Sequence, residues 1–461
     1  MAATTSALPA LDALGPAGAY HARERQTILD VAGNPLAELS LVPRLFVTRA
    51  MAALHKARTL PVEERLAALA RAGEAHAHGT VEGVPASDHQ HLVSRATGMP
   101  IAVVRQAAEA IARSAAQAYH SVQQARPVGA VDHWRDPLTR NGAGVWTRRG
   151  DVFAVHAPGN HPAVHAIWLE ALALGYRVAV RPSRRDPFTP HRLICALRTA
   201  GFGDDQIVLL PTSYATADAI VHGADLAMAY GGDDVMRRYA ARTRMLPQGP
   251  GRSKILLAAD VDWREHLDVI VDSITHEGGR ACVNTTAVFV DGGTTEVARA
   301  IAQRLAGIPS LPPEDEHAVL PVLPAAEARK LERQLLGAAE GTVAWLGGDG
   351  IVDELGDGSA ALRPAVHELD RPDARQAGIE LPFPCVWVAP WTSEAGLQPF
   401  KDTLVLTAIT RDARLVDALV AEPSISNVYI GDHPTYWLEP GIPHDGYLAD
   451  FLMRTKAVIR D

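Results

Sequence analysis

The stretch VFAVHAPGNHPAVHAIWLEALALGYRVAVRPS, residues 152–183, decides the fold of this chain. Its first part, Val152 to His156, is a short apolar run that predicts a buried strand, and a turn follows at residues 157–160. The apolar spacing from Pro162 to Leu174 predicts a helix, and Arg177 to Arg181 predicts a second strand. A unit of this length joins two parallel strands through a helix on one face of the sheet. The stretch therefore predicts an α/β fold built on a parallel sheet.

The alternation of strand and helix continues on both sides of this unit. The apolar pattern predicts helices over residues 61–79, 101–121, 190–200, 215–223 and 233–244, and strands over 207–210 and 226–230. A second α/β region follows, with predicted helices over 263–275, 294–305 and 325–337 and strands over 286–290, 386–390 and 405–409. Residues 126–149 are different, because proline and glycine break them into short β-type pieces that predict a protruding hairpin.

The composition is that of a folded protein with a large core. The chain has 461 residues, of which 47% are hydrophobic, so disorder along most of its length is excluded. The net charge of −9 argues against a nucleic-acid partner, and no apolar run reaches the ~20 residues that a membrane span needs. Residues 1–25 predict a loose leader without the cationic start of a signal peptide. Together with only three cysteines, this favours a cytoplasmic location.

Cys282 is the cysteine whose surroundings suggest chemistry. It follows HEGGRA, residues 276–281, in which two glycines let the backbone approach a ligand and Arg280 favours the thiolate form. A buried structural thiol is the alternative that these residues leave open. Cys195 and Cys385 lie in helix-like and strand-like apolar runs and are predicted to be core residues.

Two further motifs carry weaker signals. Gly231–Gly232 stands between an apolar strand and a helix, where backbone N–H groups can approach a pyrophosphate, although the motif GxGxxG is absent. His156, His161 and His165 lack the glutamate of HExxH and have no cysteine nearby, so no metal site is predicted there.

Five stretches, in order along residues 40–455, resemble the motifs of the aldehyde dehydrogenase superfamily. They are Pro158-Gly159-Asn160-His161-Pro162, Val178-Ala179-Val180-Arg181-Pro182-Ser183, Gly231-Gly232, Gly279-Arg280-Ala281-Cys282 and Glu380-Leu381-Pro382-Phe383-Pro384. The order of five motifs is far more specific than any single one.

The resemblance implies a Rossmann-type cofactor domain, a second α/β catalytic domain and a small oligomerisation hairpin. It places the dinucleotide-binding domain at residues 26–125 and 150–255, behind the leader of residues 1–25. The catalytic domain with Cys282 is expected at residues 256–440. Residues 126–149 and 441–461 would form the oligomerisation hairpin and tail of a homodimer or tetramer.

The resemblance also implies roles for single residues. Cys282 would be the nucleophile, and Asn160 would stabilise the oxyanion together with the backbone N–H of the cysteine. Without the resemblance, Asn160 reads as a turn residue or a helix cap. The residues expected to contact the dinucleotide are Pro158, Arg181, Ser183, Arg184, Gly231, Gly232 and, at the nicotinamide ribose, Glu380.

The chain departs from the family where hydrolytic members carry a catalytic glutamate. Gln248 stands there, within LPQGPGRS at residues 246–253, and glutamine cannot take a proton from water. The departure favours the acylating branch and resembles the long-chain acyl-CoA reductases, which reduce an acyl thioester on CoA or on an acyl carrier protein to an aldehyde. Glu277 near Cys282 is a substitute base, so hydrolytic oxidation of an aldehyde to an acid stays an alternative. An acyl-phosphate reductase and a catalytically silent dinucleotide-binding scaffold are the others.

A second departure concerns the cofactor. Many NAD-using relatives place a glutamate after the Lys-Pro-Ser position to hold the ribose hydroxyls, whereas this chain has Arg184 and Arg185. Guanidinium groups bind a 2′-phosphate that a carboxylate would repel. NADP(H) is therefore the preferred cofactor and NAD(H) the alternative. Both arginines also fit a solvated turn beside Asp186.

Overall fold

The computed structural model describes residues 8–239 and 243–461. The strands of its first half are β1 Ala10–Leu11, β2 Ala13–Gly15, β3 Gly18–Tyr20, β4 Arg25–Leu29, β5 Pro35–Ser40, β6 Thr80–Val81, β7 Val84–Pro85, β8 Ala143–Arg148, β9 Val152–His156, β10 Arg177–Arg181, β11 Ile207–Leu209, β12 Leu226–Tyr230 and β13 Met245–Gln248. Those of the second half are β14 Ser253–Leu257, β15 Thr285–Val290, β16 Val322–Pro324, β17 Val343–Leu346, β18 Val352–Glu354, β19 Ser359–Leu362, β20 Ala365–Glu368, β21 Cys385–Pro390, β22 Thr403–Ile409, β23 Ile425–Ile430 and β24 Met453–Val458.

The α-helices pack on both faces of these sheets. They are α1 Arg44–Lys56, α2 Val62–His78, α3 Ala86–Thr97, α4 Ile101–Gln123, α5 Leu169–Ala173, α6 Phe188–Ala200, α7 Tyr214–Gly223, α8 Asp233–Tyr239, α9 Leu267–Thr275, α10 Thr294–Leu305, α11 Ala325–Ala338, α12 Ala413–Ala421 and α13 Leu448–Leu452. Within the described ranges, no helix combines the length and the apolar character that crossing a membrane requires.

The first large sheet confirms the α/β fold predicted around residues 152–183. Its strand order is β13-β12-β9-β10-β11-β2-β3, and the five strands from β13 to β11 are parallel. β9 lies inside the sheet, and its residues Val152–Val155 are buried on both faces, as strands covered by helices on both sides must be. Because the strands are parallel, the turns after β9, β10 and β12 meet at one edge, together with Gln248 at the end of β13. That edge is where an open parallel sheet binds ligands.

The second large sheet carries the other half of the chain. Its order is β17-β20-β21-β15-β14-β22-β23, and only β17 runs antiparallel to its neighbour. β14 belongs to this sheet, so the boundary between the halves falls at residues 249–252 and not after residue 255 as predicted. The turn Gly249-Pro250-Gly251 ends one sheet and lets the chain enter the other.

The prediction of a loose leader over residues 1–25 is wrong for the part that the structure describes. β1 pairs with β5, and β2 and β3 extend the first large sheet. Ala13 and Leu14 are buried there, so the small apolar residues of this segment serve the core. Residues 1–7 of the predicted leader lie outside the described residues.

Two other elements differ from the sequence predictions. Residues 126–149 do not form a hairpin on their own: they hold the single strand β8, which pairs antiparallel with β24 from the end of the chain. The helix predicted over 162–174 divides into a 3₁₀ turn, Pro162–Ala166, and the short helix α5. The helix predicted over 233–244 is α8, and residues 240–242 of that prediction lie outside the described residues.

Candidate active site

A cavity of about 860 Å³ opens between the two halves of the chain and holds the predicted nucleophile. This volume suits a ligand of cofactor or drug size. Its lining comes from the turn after β9, the loop before β15, the end of β13 and the C-terminal loop of residues 436–447. It includes Asn160, Gln248, Glu277, Cys282 and His444. All three predicted catalytic residues, Cys282, Asn160 and Glu277, therefore line one cavity.

Close backbone packing holds Cys282 in place. A Cβ atom on Gly251 would lie 1.8 Å from the carbonyl oxygen of Cys282, so only glycine fits there. Ser253 donates a hydrogen bond to the same carbonyl through Oγ at 3.0 Å. Gly279 has φ +69°, and a Cβ atom on it would lie 2.4 Å from the nitrogen of Pro384. Gly251 and Gly279 thus serve chain packing around the cysteine, whose side chain stays half-buried at the cavity.

The direct partner of Cys282 is a histidine that sequence analysis missed. Sγ of Cys282 lies 3.4 Å from Nε2 of His444, and Nδ1 of His444 lies 2.8 Å from Oδ1 of Asp445. A nucleophile, an imidazole and a carboxylate in this order form the arrangement that activates thiols and hydroxyls. His444 and Asp445 sit in a loop without periodicity, 162 residues from the cysteine, and no local motif connects them.

Gln248 extends this chain of contacts. With its amide nitrogen turned toward Asp445, the orientation that satisfies both groups, it donates to Oδ1 at 2.9 Å. Gln248 is buried at the end of β13. Gln248 thus contacts the same carboxylate that lies against Nδ1 of His444.

The electrostatics of the site favour a charged imidazole beside the sulfur. Burial by itself would lower the pKa of His444, but the negative charges of Cys282 and Asp445 and the hydrogen bonds to them outweigh burial. The pKa of His444 is raised well above its ordinary value as a result. Arg280, which the sequence suggested for this role, donates instead to the carbonyl of Thr97 at 2.8 Å. Burial lowers the pKa of Arg280 to about 10.

Asn160 lines the same cavity, and one of its side-chain polar atoms has no partner among the described residues. Its Nδ2 donates to the carbonyl of Arg280 at 3.3 Å, while Oδ1 is buried and has no hydrogen-bond partner among the described residues. The amide thus sits against the backbone that leads into Cys282. Its role as oxyanion donor stays a prediction.

Glu277, the predicted substitute base, is held by two histidines. Oε2 lies 2.9 Å from Nε2 of His161, and Oε1 lies 3.5 Å from Nε2 of His276. Nδ1 of His161 accepts from the backbone N–H of Ala163, so in its neutral form its Nε2 carries the proton that faces Glu277. Burial by itself would raise the pKa of Glu277, but the charges and hydrogen bonds of the two histidines hold it well below its usual range. This carboxylate is a weak base, and its catalytic role stays untested.

The residues predicted for the adenosine side of a dinucleotide come together at the carboxyl edge of the first large sheet. A Cβ atom on Gly159 would lie 2.2 Å from Oγ of Ser183, so the turns after β9 and β10 touch. The guanidinium groups of Arg181 and Arg184 lie 5.1 and 4.9 Å from the ring centre of Tyr214. Nε of Arg184 is buried and has no hydrogen-bond partner among the described residues. A guanidinium with an unpaired Nε beside an exposed aromatic ring is chemically suited to an adenine ribose and its phosphate.

Arg181 is less available than the prediction supposed. It is buried, and its Nε donates to Oγ1 of Thr212 at 3.0 Å. Burial lowers its pKa. Arg181 therefore ties the end of β10 to the loop after β11, and a direct contact with the cofactor stays a prediction.

The glycine turn fits a pyrophosphate less well. The N–H of Gly231 donates to the carbonyl of Gln248 at 3.0 Å and is already used. The first turn of α8 carries Asp233 and Asp234, whose charges oppose a phosphate, although Asp233 pairs with Arg252 at 2.8 Å. Glu380 accepts from the backbone N–H of Arg252 at 2.7 Å, and burial raises its pKa. The roles of Gly231, Gly232, Glu380 and Pro158 in cofactor binding stay predictions.

Comparisons with known proteins show which family the sequence and the fold resemble. A sequence model described as the aldehyde dehydrogenase family matches residues 40–447. Human aldehyde dehydrogenase 1A1 is 24% identical over 145 residues, a match that spans 29% of this chain and only 29% of that relative. The structure of an indole-3-acetaldehyde dehydrogenase with NAD⁺ has a TM-score of 0.80 at 17% identity and covers 98% of this chain and 97% of its own. An NADP-dependent enzyme of E. coli has a TM-score of 0.80 at 17% identity, with 97% of both chains covered.

Among residues 8–239 and 243–461, no group of three or more His, Cys, Asp or Glu side chains is arranged to hold a metal ion.

Proposed function

The chain belongs to the aldehyde dehydrogenase family, and we propose that it transfers a hydride between a nicotinamide dinucleotide and an acyl group carried on Cys282. The observation that carries the proposal is the contact of 3.4 Å between Sγ of Cys282 and Nε2 of His444 in a cavity of about 860 Å³. A half-buried thiol with an imidazole partner is a nucleophile rather than a core residue. Cys195 and Cys385 differ, since burial raises the pKa of Cys195 to about 12 and also raises that of Cys385.

We propose that the preferred reaction is the reduction of an acyl thioester to an aldehyde. The sulfur of Cys282 attacks the thioester carbonyl, the thiol of CoA or of a carrier protein leaves, and Asn160 faces the oxyanion. The dinucleotide, when bound, supplies the hydride that reduces the acyl carbon. Collapse of the hemithioacetal frees the aldehyde and Cys282. One thioester, one reduced dinucleotide and one proton thus give one aldehyde, one thiol and one oxidised dinucleotide.

The state of two side chains that could otherwise activate water supports thioester reduction. Gln248 has no proton acceptor to activate water, and Glu277 is paired with His161 at 2.9 Å. With neither residue free to serve as base, a thiol is the more effective partner for the acyl enzyme.

One observation favours hydrolytic oxidation as a second candidate. Nε2 of His444, next to Cys282, is a base within reach of the acyl carbon, and water activated there would release a carboxylic acid. In that case one aldehyde, one water and one oxidised dinucleotide give one acid, one reduced dinucleotide and one proton.

We propose NADP(H) as the preferred cofactor, with NAD(H) as the alternative. Arg184 is the residue that supports this choice, because its Nε is unpaired in the described structure, whereas Arg185 already pairs with Glu327 at 2.8 Å. A cytoplasmic homodimer or tetramer joined through the β8–β24 ribbon completes the proposal.

A product assay tests the function. The purified chain is supplied with NADPH or NADH and a panel of acyl-CoA thioesters, and separately with oxidised dinucleotides and aldehydes, with and without CoA. Aldehyde from thioester, or thioester from aldehyde and CoA, supports the first candidate, and free acid supports the second. Cys282→Ala is expected to abolish either product. An active Cys282→Ala variant, or a wild-type chain that is inactive and whose Cys282 resists iodoacetamide, would overturn the proposal.

A further inference from the structure

We infer that His444 is the acid–base residue of the Cys282 site, that Asp445 orients it, and that Gln248 acts through Asp445 as a positioning residue. The inference rests on the proposed function and names groups that the resemblance did not supply. Three separate segments meet to form the relay: the loop before β15, the C-terminal loop and the end of β13.

The backbone of the C-terminal loop is fixed, so the contact between His444 and the sulfur does not depend on a free loop. Nδ2 of Asn427 on β23 donates both to the carbonyl of His444 and, at 2.9 Å, to that of Leu404. The hydroxyl of Tyr447 donates to the carbonyl of Gly441 at 3.3 Å and closes the loop on itself. His444 is therefore held against Cys282 from the second large sheet.

The hydrogen bonds assign the protons. The carboxylate of Asp445 only accepts, so Nδ1 of His444 carries a hydrogen, and Nε2 holds the proton that the thiol of Cys282 gives up. The resting pair is therefore an imidazolium beside a thiolate. The thiolate of Cys282 attacks the thioester, and Nε2–H of His444 then protonates the departing thiolate. After hydride transfer the hemithioacetal releases the aldehyde, and the sulfur returns as a thiolate. One proton from solvent restores the starting state, which matches the proton consumed in the overall reaction.

Gln248 completes the relay by constraining Asp445. The carboxylate of Asp445 is 31% exposed, and an unrestrained side chain there would turn to solvent. The amide of Gln248 is buried and donates to Oδ1 at 2.9 Å, which leaves the carboxylate aimed at His444. A glutamate at this position would face another carboxylate and repel it.

Other titratable groups surround the relay and must be separated from it in any pH profile. They are Arg113 on α4, His161, Glu170 on α5, Tyr230 at the end of β12, His276, Glu277, Tyr436, Glu439, Tyr447 and Asp450 on α13. Burial raises the pKa of Glu170 to about 7, so this carboxyl also changes charge near neutrality. Burial raises the pKa of Tyr230 far above neutrality, and its hydroxyl stays protonated.

The test measures the alkylation of Cys282 by iodoacetamide as a function of pH, which needs no substrate. In the His444→Asn variant we expect alkylation at pH 7 to slow by at least tenfold and turnover to fall by about 10²-fold. The Asp445→Asn variant keeps an oxygen for Nδ1–H but loses the charge, so we expect its acidic limb to move to lower pH by about one unit. A merely structural role of Asp445 would leave this limb in place.

The variants Cys195→Ser and Cys385→Ser isolate the signal of Cys282, and Glu170→Gln removes the competing carboxyl. Wild-type alkylation and turnover in a His444→Asn chain with an unchanged melting temperature would overturn the inference and leave the proposed function standing. If His444→Asn does not fold, an unmoved limb in Asp445→Asn overturns it. If no substrate is turned over, the proposed function fails, and the alkylation profile still decides the role of His444.

Discussion

Gln248→Glu restores the carboxylate that hydrolytic relatives carry, and we expect it to damage the site rather than convert it. In the native structure the amide of Gln248 donates to Oδ1 of Asp445 at 2.9 Å. The substitution replaces this bond with two facing carboxylates. If the position were simply an unused base, the variant would gain acid formation. If Gln248 holds Asp445 in place, the variant loses turnover.

The structure sets the size of the effect. Two unit charges about 3 Å apart repel each other by about 6 kcal/mol at an effective dielectric constant of about 20. One of the two carboxyls can instead take up a proton at pH 7, which requires its pKa to rise from the ordinary value near 4.3 to 7. This protonation costs about 4 kcal/mol and so limits the penalty. Asp445 is 31% exposed, and this exposure screens the charges further. We expect a remaining penalty of about 3 kcal/mol, a shift of about 100-fold away from the productive geometry.

The assay compares turnover and product in the wild type, Gln248→Glu and Gln248→Met. Methionine removes the hydrogen bond without adding charge, so we expect a loss of about tenfold, the cost of an unpaired bond to a charged group. Glutamate should lose more than methionine, and neither should form additional acid. A Gln248→Glu enzyme that keeps wild-type turnover, or that newly releases carboxylic acid, would refute the positioning role.

Three further predictions concern stability, cofactor choice and packing. Burial lowers the pKa of His76 and of His165 to about 3, so above pH 6.5 these rings are neutral in both the folded and the unfolded chain. Below pH 6.5 only the unfolded chain takes up their protons. We therefore expect the free energy of unfolding to fall by about 1.4 kcal/mol per pH unit for each histidine. A urea midpoint that is unchanged between pH 7.5 and 5.5 would contradict this. Arg184→Ala is expected to raise the KM for NADPH at least tenfold and leave that for NADH unchanged, while Arg185→Ala serves as the matched control with little effect on either. Gly251→Ala is expected to abolish Cys282 alkylation and to lower the melting temperature, because the new Cβ would stand 1.8 Å from the carbonyl of Cys282; normal alkylation would show that this backbone yields.

The elements of the fold that the sequence predicted well are those with a strong local pattern. β9, β10 and β12 begin and end where the apolar runs of residues 152–156, 177–181 and 226–230 do. The helices over 61–79 and 101–121 likewise appear as α2 and α4. Apolar periodicity is set by which face of each element must be buried, so it survives in the sequence alone. The segments of residues 10–20 and 126–149 were mispredicted because their strands depend on partners far along the chain.

The candidate site divides in the same way. Cys282 and Asn160 lie in motifs whose order along the chain points to the family, Gln248 marks a departure from the family pattern, and the structure brings all three to one cavity. His444 and Asp445 belong to a loop that carries none of these motifs. Only the contact between His444 and the sulfur of Cys282 points to a role for them.

By itself, therefore, the sequence determined the strand–helix alternation, which follows from local apolar patterns, and the motif order that points to the family. It also carried the prediction that Cys282 is the nucleophile. Which side chain lies beside the sulfur of Cys282 was decided only by the tertiary structure. Hydrogen bonds act over about 3 Å of space whatever the separation in sequence, and folding alone brings residue 444 to residue 282.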